Sequence, residues 1–432
     1  MSLADQAPER SGTSSFPHVA RFAVLSHVLP GRSSGQGIVL ERVLGGFSAG
    51  DYCLLSRQDH ASPCAEARSS RPGDVATTGP ARSYFVGESW RHLGTGPGGL
   101  RAAVRMTDVT LRVPLRAARV FRALRRERPS LLVVCSGDLV DLPAGFLAAR
   151  AAGIPVLAYM FDDYRNQHYR RAERIVAGIL ERIVLRGSRS IVVPNEFAAD
   201  VYARRFAVAP RIVRNPVDDA HLDDAHLNHA HLGHDPRAAW PRTPGTVRIV
   251  YTGAVYRAQA DSIARLTQAL ASWTRPEDVG LHIYSAQTQA EVERCGIPPL
   301  GCTVHRHLES SRIPGLLRQA DVLFLPLAFS SGISEVIRTS APAKLGEYLA
   351  SGVPLLVHAP RDSFVAWYVR KHGCGVVCGT ADAAELRREL IRLLDDPELR
   401  GAVTTNAVLC ARRDFSVESA RASFAQALRD CV

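Results

Sequence analysis

Lys344 and Glu347 stand three residues apart in APAKLGEYLASGVP (341–354), a spacing that sets an ammonium and a carboxylate on one face of a helix. Ser340 is placed to cap that helix, Pro342 falls in its first turn, and Gly352 ends it before an apolar strand. A lysine in a first turn opposes the helix dipole, which is unfavourable alone and makes sense beside a bound anion. The free amides of the same turn suit a diphosphate, and a carboxylate one turn on could grip the two hydroxyls of a ribose. An ordinary amphipathic helix carrying a solvated Lys–Glu pair is the plain alternative.

The elements that must position this pair follow from alternating apolar runs and breakers. HVARFAVLSHVLP (18–30) reads as a strand entering a loop, and SSGQGIVLERVLGGF (33–47) as loop then helix. SLLVVCSGD (130–138), IPVLAYMFDD (154–163) and SRSIVVPNEFAADVYARRF (188–206) repeat the alternation, each strand a continuous apolar run as in a parallel sheet covered on both faces. Residues 48–110, rich in Arg, Ser, Pro and Gly, are not assigned. Asp-Asp-Ala-His-Leu at 218–222 then recurs at 223–227, so 218–245 reads as a low-complexity linker. A fresh α/β series follows in TVRIVYTGAVY (246–256), LHIYSAQ (281–287), CTVHRHL (302–308), ADVLFLPLAF (320–329) and VPLLVHAP (353–360).

The expected organisation is therefore a leader at 1–17, a Rossmann-like domain at 18–217, the linker at 218–245 and a second Rossmann-like domain at 246–432. Two such domains facing each other enclose a cleft at the carboxyl ends of their sheets, a natural place for two substrates.

Composition limits the partners. The 432 residues are 46% hydrophobic and 22% charged, as in a globular protein of more than one core. The leader is polar without an apolar h-region, and no apolar run approaches the roughly 20 residues that span a bilayer, so a cytoplasmic protein is expected. Nine scattered cysteines form no CxxC pair, which argues against structural zinc or dithiol redox work. The net charge of +11 comes almost wholly from arginine, Lys344 and Lys371 being the only lysines. Without a recognised module or basic–aromatic interleaving, nucleic acid is not an expected partner.

Two further features have rival readings. The helix LRVPLRAARVFRALRRERP (111–129) carries arginines at 112, 116, 119, 122, 125, 126 and 128, which suits either a solvated surface helix or peripheral contact with an anionic membrane. The linker histidines His221, His226, His229, His231 and His234 could chelate adventitious metal, though repeat expansion accounts for them.

The second half resembles the family-four, group 1 glycosyltransferases of GT-B fold. The shared blocks are ADVLFLP (320–326), PAKLGEYLASGVP (342–354), HGCGVV (372–377) and LLDDPELR (393–400). The resemblance implies that Glu347 binds the donor ribose and that Lys344, with the amides near Ser340, lies by the diphosphate. VYTGAVYRAQADSI (250–263) resembles the family's opening block, which implies a glycine turn at Gly253 and a diphosphate-neutralising Arg257. By the same mapping His307 and Leu308 border the nucleobase. The family's second glutamate falls on Thr339, for which Glu335 or the loop SSGIS (330–334) with Gly332 is a candidate substitute.

In the first half, LPGRSSGQGIVLERVL (29–44) resembles the family's N-terminal glycine loop, pointing to Gly35 and Gln36. FDDYRNQ (161–167) offers Asp162 and Asp163 where family members often carry a histidine against the transferring sugar. Asn215 and Pro216 mark the hinge region. No metal or other cofactor is expected, since the resemblance assigns charge compensation to Arg257 and Lys344. The implied substrate is a UDP- or GDP-sugar and the implied acceptor a cell-surface glycan or lipid-linked precursor, with retention of configuration. A nucleotide-sugar epimerase of the same fold and a non-catalytic GT-B subunit are the alternatives.

Overall fold

The computed structural model describes residues 19–31, 34–58, 82–87, 98–168, 170–218, 222, 246–273 and 279–432, with backbone alone at 98–108. The leader and nearly all of the linker, including its histidines, lie outside the described residues.

The first Rossmann-like domain holds seven parallel strands: β1 (Phe22–Ser26), β2 (Tyr52–Ser56), β3 (Arg82–Phe85), β4 (Leu131–Cys135), β5 (Val156–Tyr159), β6 (Ser190–Val193) and β7 (Arg211–Ile212), in the order β3-β2-β1-β4-β5-β6-β7. Its helices are α1 (Gly35–Leu44), α2 (Gly98–Glu127), α3 (Asp141–Ala152), α4 (Arg171–Gly187) and α5 (Glu196–Phe206). β1, β2 and β4 are buried along their whole length, the physical meaning of their unbroken apolar runs. Local signals set the helix starts: Ser34 Oγ accepts from Gly37 N at α1, and Asn195 Oδ1 from Ala198 N at α5.

The second domain has six parallel strands, β8 (Val247–Thr252), β9 (Val279–Ser285), β10 (Cys302–Arg306), β11 (Val322–Pro326), β12 (Leu355–His358) and β13 (Val376–Cys378), ordered β10-β9-β8-β11-β12-β13. Around it lie α6 (Ala260–Ala271), α7 (Gln289–Glu293), α8 (Ile313–Leu317), α9 (Ser334–Thr339), α10 (Lys344–Ala350), α11 (Phe364–His372), α12 (Ala383–Asp395), α13 (Pro397–Phe415) and α14 (Val417–Arg429). Each sheet reverses its winding at its first strand, leaving a crevice at the carboxyl ends of β1 and β4 in one and of β8 and β11 in the other.

The last helix returns to the first domain. Ala420, Phe424 and Leu428 of α14 share a core with Phe22, Phe47, Tyr52 and Tyr159, and the Phe424 ring stands 6.0 Å from that of Phe47.

The basic helix at 111–129 is the end of a longer α2, and its arginines divide. Arg116 is buried in an ion pair with Asp141 of α3, Arg112 is buried, and Arg119 donates to the carbonyl of Gly87. Arg122, Arg125, Arg126 and Arg128 remain exposed. No described helix is long and apolar enough to cross a membrane.

Candidate functional site

At the second crevice, β8 ends in Gly253, whose φ of +115° only glycine adopts readily. Lys344 opens α10, and its side chain fills the space a Cβ on Gly253 would occupy: Cε would lie 2.5 Å and Nζ 2.7 Å from that atom. Nζ also sits 5.5 Å from the centre of the Tyr251 ring. Burial pushes the ammonium below the ordinary lysine range, with Glu347 acting in the opposite direction. Tyr348 completes the joint, its hydroxyl accepting from Thr252 N at 2.8 Å and so pinning the end of β8 to α10. It follows Glu347 in the motif, but sequence reasoning gave it no role.

Glu347 lies one turn beyond Lys344, and its Oε1 accepts from Arg42 Nη2 of α1 at 3.2 Å. Arg42 was not anticipated, being one arginine among many and 305 residues away in the chain.

Ser340 does not cap α10. The helix begins at Lys344 without a side-chain cap, and Ser340 instead ends α9 with φ −57° and ψ 130°. The first domain holds this link by two carbonyls, one at the end of α9 and one between the helices. Asn195 Nδ2 donates to Thr339 O at 2.8 Å and Asn215 Nδ2 to Ala341 O at 2.7 Å. Thr339 turns inward, donating its hydroxyl to Glu335 O, while the Glu335 side chain is exposed.

Arg257 and Gly332 come together elsewhere on the same sheet end. They line a cavity of about 580 Å³ between α6 and the loop after β11, with Asp261, Arg265, Gln268 and Ser330. Asp261 shapes this loop, Oδ2 accepting from Phe329 N and Ser330 N at 3.0 Å each while pairing with Arg265. Neither Lys344 nor Glu347 lines the cavity. His307 is exposed after β10, and Leu308 packs against the core.

In the first domain, Gln36 Nε2 donates to Ser26 Oγ at 3.2 Å, holding α1 to the end of β1. The glycine this loop requires is Gly37 rather than Gly35. A Cβ on Gly37 would meet the carbonyls of Gly31 and Leu29 at 2.7 and 2.9 Å, whereas one on Gly35 would meet nothing within 4 Å.

The two aspartates after β5 part company. Asp163 is buried and held by both Arg205 nitrogens at 3.1 and 2.8 Å and by Asn166 Nδ2 at 2.9 Å, so its carboxylate works as a structural anchor for α5. Asp162 is exposed in the same turn, its backbone carbonyl accepting from the Tyr202 hydroxyl at 3.2 Å.

Sequence reasoning also passed over three residues at the first crevice. His27 follows β1, Arg57 follows β2 and Asp138 follows β4, with Arg57 and Asp138 paired at 3.5 Å. His27 leans on Gly137, where any Cβ would fall 2.1 Å from the ring, and its buried Nδ1 has no hydrogen-bond partner among the described residues. Desolvation lowers its pKa, Asp138 opposing and Arg57 assisting. Their positions at strand ends could have flagged them. Among the described residues no three His, Cys, Asp or Glu side chains gather as metal ligands would.

Known structures share this architecture. Anabaena HepE in complex with UDP and glucose matches with a TM-score of 0.63 and 16% identity over 95% of this chain and 99% of that one. Sucrose-phosphate synthase from Thermosynechococcus elongatus matches at 0.65 and 14% identity, covering 95% and 98%. A putative UDP-N-acetylglucosamine 2-epimerase from Listeria monocytogenes matches at 0.53 and 13%, covering 94% of each chain. No curated protein matches the sequence significantly. Family models do: Glycosyltransferase Family 4 over residues 75–221 and Glycosyl transferases group 1 over residues 246–396. With both halves matched in order on two facing Rossmann-like sheets, the chain belongs to the family-four, group 1 glycosyltransferases of GT-B fold.

Proposed function

We propose that this glycosyltransferase moves a sugar from a nucleoside diphosphate, UDP or GDP, to a cell-surface glycan or its lipid-linked precursor, working in the cytoplasm. The observation that carries the reading is the joint of Gly253, Lys344 and Glu347 at the second crevice, which sets a desolvated ammonium and a carboxylate one helical turn apart. The complexes of HepE with UDP support a uridine nucleotide as the first donor to test.

In this reading Glu347 takes the ribose hydroxyls, while Lys344 and Arg257 offset charge on the departing diphosphate as the glycosidic bond loosens toward an oxocarbenium-like state. Asp162 stands on the acceptor side with His27, Arg57 and Asp138, where a hydroxyl would approach the sugar. Retention of configuration rests on the family alone.

A lipid-linked acceptor is supported by α4, not by the basic end of α2 alone. Ile175, Ile179 and Ile183 repeat every fourth residue and are 53, 56 and 54% exposed, with Arg171, Arg182 and Arg186 exposed along the same face. An apolar stripe between arginines suits the surface of an anionic bilayer.

The test begins with thermal shifts against UDP, GDP and their sugars, where ligand binding raises apparent stability. Products are then analysed with and without an acceptor extract. A nucleotide-sugar epimerase, favoured by the Listeria likeness, would alter the sugar without any acceptor. Nucleotide binding without turnover on any acceptor would mark a non-catalytic subunit.

A further inference from the structure

We propose that Arg42 is a positioning residue for the donor ribose, fixing the Glu347 carboxylate through one oxygen and leaving the other for the ribose hydroxyls. The proposal rests on the donor-site reading above.

Arg42 reaches Glu347 from the opposite domain. Its Nη2 donates to Oε1 at 3.2 Å while Nη1 donates to Pro216 O at 2.6 Å, in the hinge segment that leaves the first sheet. The fork is thus divided between two targets, whereas a guanidinium that grips a carboxylate with both nitrogens occupies both oxygens. No described residue donates a hydrogen bond to Oε2 of Glu347. The arginine backbone is itself held, because Arg421 Nε of α14 donates to Arg42 O at 2.9 Å. Side chains on both sides are largely covered, 13% exposed for Arg42 and 17% for Glu347, so the contact is not a loose surface pair.

This arrangement separates steering from mere cohesion. A carboxylate one turn into a short helix has several rotamers, and a ribose must find the single one that faces it. Arg42 selects that rotamer before the ligand arrives. Because its other arm rests on the hinge, the donor carboxylate is set correctly only when α1, Pro216 and α10 are in register. The rival reading has the opposite sign: an arginine that occupies Glu347 and must be displaced would weaken donor binding, and removing it would tighten binding.

Calorimetry on the full chain decides, using whichever of UDP and GDP binds the parent, together with the matching free nucleoside. Arg42→Ala should weaken both ligands by about tenfold, since the ribose is common to both. Arg42→Lys keeps the charge but not the fork and should recover part of the loss. Glu347→Gln should weaken both at least as much, and adding Arg42→Ala to it should cost little more, because the two act as one unit. Lys344→Ala is the control, losing the diphosphate but not the nucleoside. Melting temperatures verify folding, and if Arg42→Ala does not fold, the lysine variant carries the comparison. Unchanged or tighter binding in the Arg42 variants, with Glu347→Gln still impaired, overturns the proposal. If Glu347→Gln itself binds like the parent, it is the ribose assignment that fails.

Discussion

Replacing Gly253 with alanine tests the geometry of the proposed donor joint directly. The new Cβ would fall 2.5 Å from Lys344 Cε and 2.7 Å from Nζ, whereas carbon atoms rest about 3.5–4.0 Å apart. The lysine would therefore have to withdraw by about 1 Å from a half-buried seat. Alanine would also be forced to a φ of +115°, which adds about 1–3 kcal/mol of backbone strain. If the ammonium holds the diphosphate, its retreat should remove a charge-assisted hydrogen bond of about 1.5–3 kcal/mol, weakening nucleoside diphosphate binding roughly tenfold to a hundredfold. Free nucleoside should bind nearly as before. In a Lys344→Ala background the clash is gone, so Gly253→Ala should cost only the backbone strain and no further diphosphate affinity. Calorimetry on the four proteins, with urea melts for stability, completes the cycle. Undiminished diphosphate binding by the folded Gly253→Ala protein would refute the argument, because Lys344 could then not be the contact the glycine makes room for.

Other outcomes follow from features away from this joint. Asp163→Asn weakens the Arg205 fork while leaving Glu181 3.8 Å from the guanidinium, and should cost about 1.5–3 kcal/mol of stability, read by urea denaturation; a loss confined to activity would contradict the anchoring role. Replacing Ile175, Ile179 and Ile183 with serine should release the protein from phosphatidylglycerol vesicles at low salt without changing its melting temperature, and vesicle sedimentation that is unchanged would dismiss α4 as the contact. His358 is held down to about 4 by burial, with Ser262 Oγ and Thr380 O each 2.8 Å from its ring nitrogens. Its depressed folded pKa means the unfolded chain takes up the proton first, so its contribution is complete above about pH 6.5 and declines toward pH 4 by about 1.4 kcal/mol per unit. Urea midpoints measured across that window should flatten in His358→Gln, and an unchanged slope would assign the acid sensitivity to other groups.

Much of the architecture was legible because parallel strands buried on both faces write themselves as continuous apolar runs, as FAVLS and LLVVC do. β3 escaped notice for the complementary reason: it is a four-residue edge strand, RSYF, with three of its residues exposed and no apolar run to betray it. Lys344, Glu347 and Gly253 were recognisable from a local motif. Their partners were not, since Arg42 meets Glu347 and Asn195 meets the last carbonyl of α9 only after the chain has folded. Ser340 looked like a cap because serine before a proline-containing turn usually is one, but the link it belongs to is held open by hydrogen bonds from the other domain. Asp163 looked available for chemistry until Arg205, 42 residues on, was seen to claim it.

The position of α14 bears on how the polypeptide comes off the ribosome. The apolar face formed by Phe22, Phe47 and Tyr52 is completed by Phe424 and Leu428, so the domain synthesised first keeps a hydrophobic gap until nearly the whole second domain has emerged. Vectorial synthesis normally lets an early domain close on its own. Here the first half, complete near residue 217, must wait for a helix that begins at Val417, about two hundred residues downstream, and the nascent chain is a natural client for a holding chaperone throughout that interval.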